Sequence, residues 1–249
     1  MKPPPFKNIF LVLFAVCLSS PAFGQTGVPI FNAVQDATGN TEYSVTLQLL
    51  ALMTFLTILP SVLLMMTAFT RIIIVLSLLR QALGTAQTPP NTVLLGLALF
   101  LTIFVMEPTF RLVYEQAFIP YSEGQLSFED ALSVAQVPVK EFMLSQTREQ
   151  DLAVFVAMSD NVQINQPMDT PLTTLVPAFL TSELKSAFII GFMLYIPFII
   201  IDLVVASILM SMGMMMLSPM IISMPFKLLL FVMVDGWSLI MTSLSNSYM

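Results

Sequence analysis

Long apolar stretches, separated by short polar turns, occupy most of this chain. The first runs over 45–80 and the second over 92–106, and a Thr-Pro-Pro-Asn sequence lies between them. Stretches of this length and polarity are typical of membrane-spanning helices, and the proline-rich sequence is typical of a turn. We predict a first helical hairpin over 45–106, bent at Pro60, where proline removes a backbone hydrogen bond.

The last quarter of the chain repeats this pattern. Residues 186–217 are apolar almost throughout, and as one helix they would extend roughly 48 Å, beyond the roughly 30 Å hydrocarbon core. The helix therefore either leaves the bilayer or breaks, with Pro197 and Gly213 as candidate breakpoints. A last helix over 226–244 completes a second predicted hairpin, 186–247.

The stretch between the hairpins, residues 107–185, is different because it holds 11 of the 15 acidic residues. Four short sequences in it resemble helix starts, and they begin at Ser127, Thr147, Thr170 and Thr181. We predict a water-facing set of short helices here. The fold class is therefore an all-α integral membrane protein of kinked helical hairpins with a short-helix periplasmic region.

The N-terminus has the pattern of a secretory signal peptide over 1–24. Two lysines precede a short apolar core, and Ala22-Phe23-Gly24 has the small-x-small pattern of a cleavage site. The alternative is an uncleaved first helix, but the core is short for a membrane span. Residues 25–44 are polar, and we expect an exposed, loosely ordered arm there.

Composition adds two exclusions. Hydrophobic residues make up 57% and charged residues 10% of the chain, against roughly 25% charged residues in a soluble domain, so lipid or partner subunits must cover its surface. The net charge of −6 argues against nucleic-acid binding. The chain has no histidine and one cysteine, Cys17 in the predicted leader, which excludes Cys/His metal sites and Ser-His-Asp or Cys-His catalytic sets. No cofactor is expected.

The few positive charges predict an orientation. Arg71, Arg80 and Lys227 flank the two hairpin turns, and positive flanks are typical of the cytoplasmic side of a membrane. Region 107–185 would then face the periplasm, as would the N-terminus of the mature chain.

Asp202 is the first candidate functional residue, because apolar residues flank it on both sides. A carboxylate at the centre of a membrane helix costs about 2.5 to 3.5 kcal/mol on insertion scales. It either lines a conduit or pairs across a subunit boundary, or it makes a buried structural hydrogen bond. All of these place Asp202 against protein or water.

The second candidate is a methionine-rich segment. Seven methionines fall within residues 210–224, including the run Met214, Met215 and Met216 after Gly213. Methionine side chains are flexible and can repack around changing shapes, so a ring of them could seal a pore and still yield to a polypeptide. The alternative is ordinary packing against lipid or core.

The remaining charges have two interpretations as well. Arg148, Glu183, Lys185 and Lys227 could form ion pairs that hold subunits together, or they could be solvated charges worth about 0 to 1 kcal/mol per pair. Asp235, beside a glycine and a tryptophan in the last helix, is a further candidate for a buried charge.

Several blocks of this sequence, in the same order, resemble the FliP family, whose injectisome relatives are the SctR proteins. The resemblance covers about residues 45–247. The blocks are FTRIIIVL at 69–76, LRQALG at 79–84, QTPPN at 87–91, PAF at 177–179, SEL at 182–184, AF at 187–188, GF at 191–192, PF at 197–198, IDLV at 201–204, SMGMMM at 211–216 and SP at 218–219.

The resemblance implies a non-enzymatic core subunit of the flagellar type III protein-export gate, in the bacterial inner membrane and flagellar basal body. Several copies would assemble with FliQ, FliR and further export-apparatus proteins around a pore for unfolded flagellar proteins. The site residues it implies are a constriction at Gly213, Met214, Met215 and Met216, a functionally sensitive Asp202, and ion pairs within or between subunits at Arg148, Glu183 and Lys227.

Three alternatives remain at this point. An injectisome gate subunit fits the same blocks, but the signal peptide favours the flagellar branch. A small proton or ion channel could use Asp202 and would conduct without partners. An intramembrane enzyme would need a catalytic set, which the missing histidine and the position of Cys17 disfavour.

Overall fold

The computed structural model describes residues 32–35, 41–44, 47–85, 87–159, 166–214 and 217–248 of the chain. Most of these residues are helical, which confirms the predicted all-α fold. In chain order the helices are α1 (Leu47–Met65), α2 (Phe69–Ala82), α3 (Asn91–Val105), α4 (Glu107–Val113), α5 (Ile119–Ser122), α6 (Phe128–Gln146), α7 (Glu149–Met158), α8 (Leu172–Ser211), α9 (Pro219–Met233) and α10 (Gly236–Asn246), with a π-helical turn at Tyr114–Phe118 and a 3-10 turn at Pro167–Asp169.

The predicted arm contains a small element that the sequence did not indicate. Strands β1 (Asn32–Gln35) and β2 (Thr41–Ser44) pair in antiparallel register, with Asn32 opposite Ser44. They belong to a first compact unit, Met1–Ile58, and the remainder of the chain forms a second unit. The predicted leader, 1–24, lies outside the described residues.

The first hairpin breaks at Thr67 and not at Pro60, which lies inside α1. The Thr67 hydroxyl donates to the Leu64 carbonyl at 2.8 Å, and its oxygen accepts from the Phe69 backbone N–H at 3.3 Å. The Thr67 side chain therefore bonds to backbone groups of both helices at the break. Pro60 deletes only one backbone hydrogen bond, and the helix continues through it.

Helix α8 is continuous over 40 residues, Leu172–Ser211, which is roughly 60 Å at 1.5 Å per residue. The predicted start at Thr181 is therefore wrong, and of the two candidate breakpoints Pro197 lies inside the helix whereas Gly213 lies just beyond its end. Thr181 donates back to the Pro177 carbonyl at 2.9 Å instead of capping a new helix. The buried face of α8 runs on both sides of this point, so tertiary packing overrides the local start signal. The predicted boundary at residue 185 falls inside this helix.

The last helical segment is bent, whereas the sequence predicted one helix over 226–244. Helices α9 and α10 meet at 66°, and between them Asp235 adopts a left-handed conformation with φ 50°. A Cβ on Gly236 would lie 2.4 Å from the Phe231 ring, so the bend needs glycine there. Asp235 is exposed, which corrects its interpretation as a buried charge.

The region between the hairpins agrees with its predicted helix starts more closely. The Ser127 oxygen accepts from the Asp130 backbone N–H at 3.2 Å, as expected for an N-cap of α6. Helix α7 starts one residue after Arg148, and α8 starts after Pro171. These helices pack on each other and on the first turns of α8 through Met143, Leu175 and Phe179.

The core of the second unit lies between α2 and α8. One face of α2 is fully buried, and its larger members are Ile72, Val75, Leu76 and Leu79. They pack in one cluster with Ala187 and Phe198 of α8. Small residues on α8 let the two helices approach closely, as at many helix contacts in membranes.

Gly191→Ala tests this close approach. A Cβ at Gly191 would lie 2.3 Å from Cδ1 and 3.2 Å from Cβ of Leu78. We expect a loss of about 1 to 3 kcal/mol in unfolding free energy, because Leu78 must leave its rotamer or the helices must separate. Thermal unfolding of the detergent-purified protein measures it.

Gly96→Ala is the matched control, since Gly96 is also helical and a Cβ there would meet nothing within 4 Å. We expect it to be neutral or to stabilise by about 0.5 to 1 kcal/mol. Equal destabilisation by both substitutions would contradict close packing at Gly191.

The described chain leaves much apolar surface uncovered. Only 11% of the most apolar stretch of α8 is buried, and residues such as Phe192, Met193 and Leu203 are more than 60% exposed. By length and composition α8 alone could cross a membrane, and up to four segments could do so if α1–α2, α3 with the helices that follow it, and α9–α10 each count as one bent span. Lipid or other chains must cover these faces.

Candidate functional site: two buried charge clusters and a methionine turn

The segment 212–218, here called the methionine turn, joins α8 to α9. Gly213 adopts a left-handed conformation with φ 73°, which ends α8 as glycine commonly ends helices. Met214 is 40% exposed, and Met212 and Met220 are more exposed still, at 66% and 60%. Met215 and Met216 lie outside the described residues. The methionines described here therefore have no core of their own chain to fill.

Asp202 lies on α8 nine residues before its end and is held by two donors from α9. Lys227 Nζ donates to Oδ2 at 2.6 Å, and the Ser223 hydroxyl donates to Oδ1 at 2.5 Å. Lys227 also donates to the backbone carbonyl of Ala82, the last residue of α2, at 3.2 Å. We call Asp202, Ser223, Lys227 and this carbonyl the Asp202 clasp.

The clasp is buried unevenly. The side chain of Lys227 is 3% exposed and Ser223 is completely buried, whereas the Asp202 side chain is 32% exposed. The lysine charge is therefore desolvated and depends on Asp202, while the carboxylate still reaches the surface. The Ala82 carbonyl is one of those that a helix C-terminus leaves without a partner, and a cation is favourable there.

Glu183 belongs to a second cluster, with a partner that the sequence analysis did not assign. Arg71 of α2 binds it through two guanidinium nitrogens, Nε at 3.0 Å from Oε2 and Nη2 against Oε1. The side chains are 5% and 0% exposed respectively. A bidentate pair of this kind fixes both distance and orientation between α2 and α8.

The end of the described chain closes over this pair. Arg71 Nη1 donates to the carbonyl and hydroxyl of Ser247 at 3.0 and 3.1 Å, and its guanidinium lies 3.9 Å above the ring of Tyr248. The Tyr248 hydroxyl lies 2.8 Å from Glu183 Oε2. Burial, and then the charge of Glu183, raise the pKa of Tyr248 far above its ordinary value, so the phenol stays a neutral donor.

Arg148, for which an ion pair within or between subunits and a solvated charge were both open, has no carboxylate partner among the described residues of this chain. Its guanidinium donates to Ser186 at 3.3 Å, and its backbone N–H donates to Ser182 at 3.1 Å. Nearby, Lys185 and Asp151 approach to only 3.9 Å, and Lys185 is 47% exposed. The Lys185–Asp151 pair is therefore a solvated ion pair, which contributes little to stability.

The two buried clusters are separate sites on one helix. Glu183 and Asp202 are 19 positions apart on α8, which is roughly 28 Å along its axis. Both clusters tie α8 to α2: the Asp202 clasp does so through Lys227 and the Ala82 carbonyl, and the Glu183 cluster does so through Arg71. In the described part of the chain, no group of three or more acidic, cysteine or histidine side chains could hold a metal.

Sequence reasoning missed Arg71, Ser223 and Tyr248 as site residues. An arginine inside an apolar helix is itself a sign of a buried partner, but the sequence analysis interpreted Arg71 only as a charge at a hairpin turn. Arg71 and Lys227 are buried in ion pairs, whereas Arg80 contacts the first hairpin turn through Asn91 and the Pro89 carbonyl. No local pattern marks Ser223 or Tyr248.

The sequence matches known proteins over most of its length. Residues 52–244 match the FliP family. The chain is 56% identical over 216 residues to the flagellar biosynthetic protein FliP of Cereibacter sphaeroides, covering 87% of this chain and 72% of that protein. It is 58% identical over 210 residues to that of Pectobacterium carotovorum subsp. carotovorum, with coverages of 84% and 81%. It is 54% identical over 205 residues to the flagellar biosynthetic protein FliP of Bacillus subtilis, covering 82% of this chain and 93% of that protein.

The family match spans most of the chain, and these identities extend over most of each relative. They confirm the resemblance on which the sequence analysis relied, and they agree with a helical, membrane-associated protein. FliP proteins are structural subunits of the flagellar type III protein-export apparatus, and this chain belongs to the FliP family.

Proposed function

We propose that several copies of this chain assemble with FliQ and FliR into the core of the export gate, a closed pore for unfolded flagellar proteins. The observation that supports it most is the exposure of Met212 and Met214 at the end of α8, where the Asp202 clasp joins α8 to α9. A pore that stays closed and yet admits a polypeptide needs flexible side chains at its constriction and helices of fixed position behind them. The methionines would supply the first and the clasped helices α8 and α9 the second.

The surface of the described chain supports assembly. A helix as apolar and as exposed as α8 needs cover, and a protein whose buried charges are already paired inside the chain can present that face to another subunit without leaving a charge unpaired. We place the complex in the inner membrane, with the helices α4 to α7 on the periplasmic side, and assign it no catalytic activity of its own.

Purification of the tagged protein in mild detergent, followed by native mass spectrometry, tests this function. The expected result is a complex of several copies with two other small membrane proteins. A monomer or dimer that conducts ions by itself would overturn the proposal and favour the small channel. Partners from a virulence-type secretion system in place of flagellar ones would favour the injectisome alternative.

Replacement of Met214, Met215 and Met216 together by alanine tests the seal. We expect the complex to assemble normally and to leak small ions, because flexible bulk is removed from the narrowest point while both charge clusters remain. Ion flux into vesicles that carry the assembled complex measures the leak. The control is Met193→Ala, an exposed methionine on α8 far from the turn. A triple variant as tight as the control would show that these methionines do not form the seal.

A further inference from the structure

We infer that Ser223 is a positioning residue of the gate, which fixes the rotation of α9 against α8 and thereby the position of Leu217, just before α9, relative to Met214, just after α8. This inference rests on the proposed function. It adds a residue that neither the sequence blocks nor the predicted ion pairs include.

Each of the two carboxylate oxygens of Asp202 has its own donor on α9. Oδ1 accepts from Ser223 and Oδ2 accepts from Lys227, and these two donors lie four residues apart on α9. Residues at this spacing lie on the same helix face, one turn apart. Two attachments to one carboxylate fix both the distance and the roll of α9, whereas a single contact to a long lysine side chain fixes the distance only.

The Ser223–Asp202 hydrogen bond joins the two helices that flank the methionine turn. Asp202 is on the helix that enters the methionine turn and Ser223 is on the helix that leaves it, so the bond closes a loop that contains the whole turn. The Ser223 side chain is short and completely buried. A shift of Asp202 on α8 therefore moves α9 with it, because so short a side chain cannot adjust to a longer distance.

The same bond can open at small cost. The Ser223 oxygen also lies 3.2 Å from the carbonyl of Met220, one turn earlier on α9. A serine in a helix can donate to such a carbonyl, so rotation away from Asp202 leaves no buried hydroxyl unsatisfied. Lys227 keeps its contact with the Ala82 carbonyl in that state, which keeps α9 attached to the end of α2.

Ser223→Ala is the direct test, with Ser223→Thr as the rescue that keeps the hydroxyl. Ser211→Ala is the control, because the Ser211 hydroxyl donates only within its own helix, to Ile208 at 2.7 Å. The position of the turn is measured by the distance between spin labels at Leu217→Cys and Gln81→Cys in a Cys17→Ser background. Both sites are exposed. Labelled copies are diluted with unlabelled ones in the assembled complex.

We expect Ser223→Ala to broaden or shift the distance distribution and to raise the ion leak of the assembled complex about tenfold, the effect of losing a hydrogen bond to a charged group. Ser223→Thr should restore both, and Ser211→Ala should change neither. A purely structural role would lower thermal stability without moving the distribution.

The outcomes separate this inference from the proposed function. An unchanged distance distribution in Ser223→Ala overturns the positioning role, whatever the leak. A changed distribution with a normal leak also overturns it, provided that the triple methionine variant leaks. If the triple variant assembles and does not leak, the proposed seal fails, while the distance measurement still decides whether Ser223 positions the turn.

Discussion

Arg71→Ala is expected to destabilise the protein by about 3 to 5 kcal/mol, the largest effect of any single substitution considered for this chain. It would leave the carboxylate of Glu183, whose side chain is 0% exposed, buried with only the Tyr248 hydroxyl as a donor. It would also release Ser247, since Arg71 holds the carbonyl and the hydroxyl of that residue. The measurement is thermal or denaturant unfolding of the detergent-purified protein, together with the yield of assembled complex.

Lys185→Ala is the matched control, because Lys185 also faces a carboxylate but is 47% exposed and 3.9 Å away. Its expected effect is below about 1 kcal/mol. A second comparison uses the double variant that carries Arg71→Met and Glu183→Leu together. Removing both charges leaves no unpaired one, so this double variant should be far more stable than Arg71→Ala. Stability equal to that of Arg71→Ala would mean that shape, and not charge, makes the site essential.

The need to satisfy backbone hydrogen bonds explains which parts of the fold could be predicted from the sequence. Apolar stretches with polar turns predicted two hairpins, because a helix is the only single segment that satisfies its own backbone in an apolar surrounding. The exact breaks could not be predicted by the same reasoning. Pro60 is the stronger local signal, yet the break lies at Thr67, whose side chain bonds to backbone groups of both helices.

The candidate site was predictable only in part, for a related reason. Asp202 and the methionine run are conspicuous in the sequence, since a carboxylate and a cluster of soft side chains in an apolar segment need an explanation. Their neighbours are not conspicuous. Whether Lys227 meets Asp202 or another chain depends on how α9 folds back on α8, and a buried serine such as Ser223 resembles any other helix serine.

The two charges of the Asp202 clasp are expected to differ in effect when each is neutralised alone. Asp202→Asn leaves the ammonium of Lys227, which is 3% exposed, without its carboxylate, and should cost about 3 kcal/mol or more. Lys227→Met leaves Asp202, which is 32% exposed and still bound by Ser223, and water can solvate part of that charge. It should therefore cost less, about 1 to 2 kcal/mol.

The double variant Asp202→Asn with Lys227→Met completes a double-mutant cycle for the unfolding free energy and for export of a flagellar substrate. Its stability should exceed that of Asp202→Asn alone, because no buried ammonium remains without a carboxylate. Export should stay impaired in all three variants if the clasp sets the methionine turn, since none of them keeps two charge-assisted bonds between α8 and α9. Additive losses of stability would show that the two side chains do not interact. Full export by the double variant would mean that the pair serves folding alone, and that the turn is positioned by other contacts of α9.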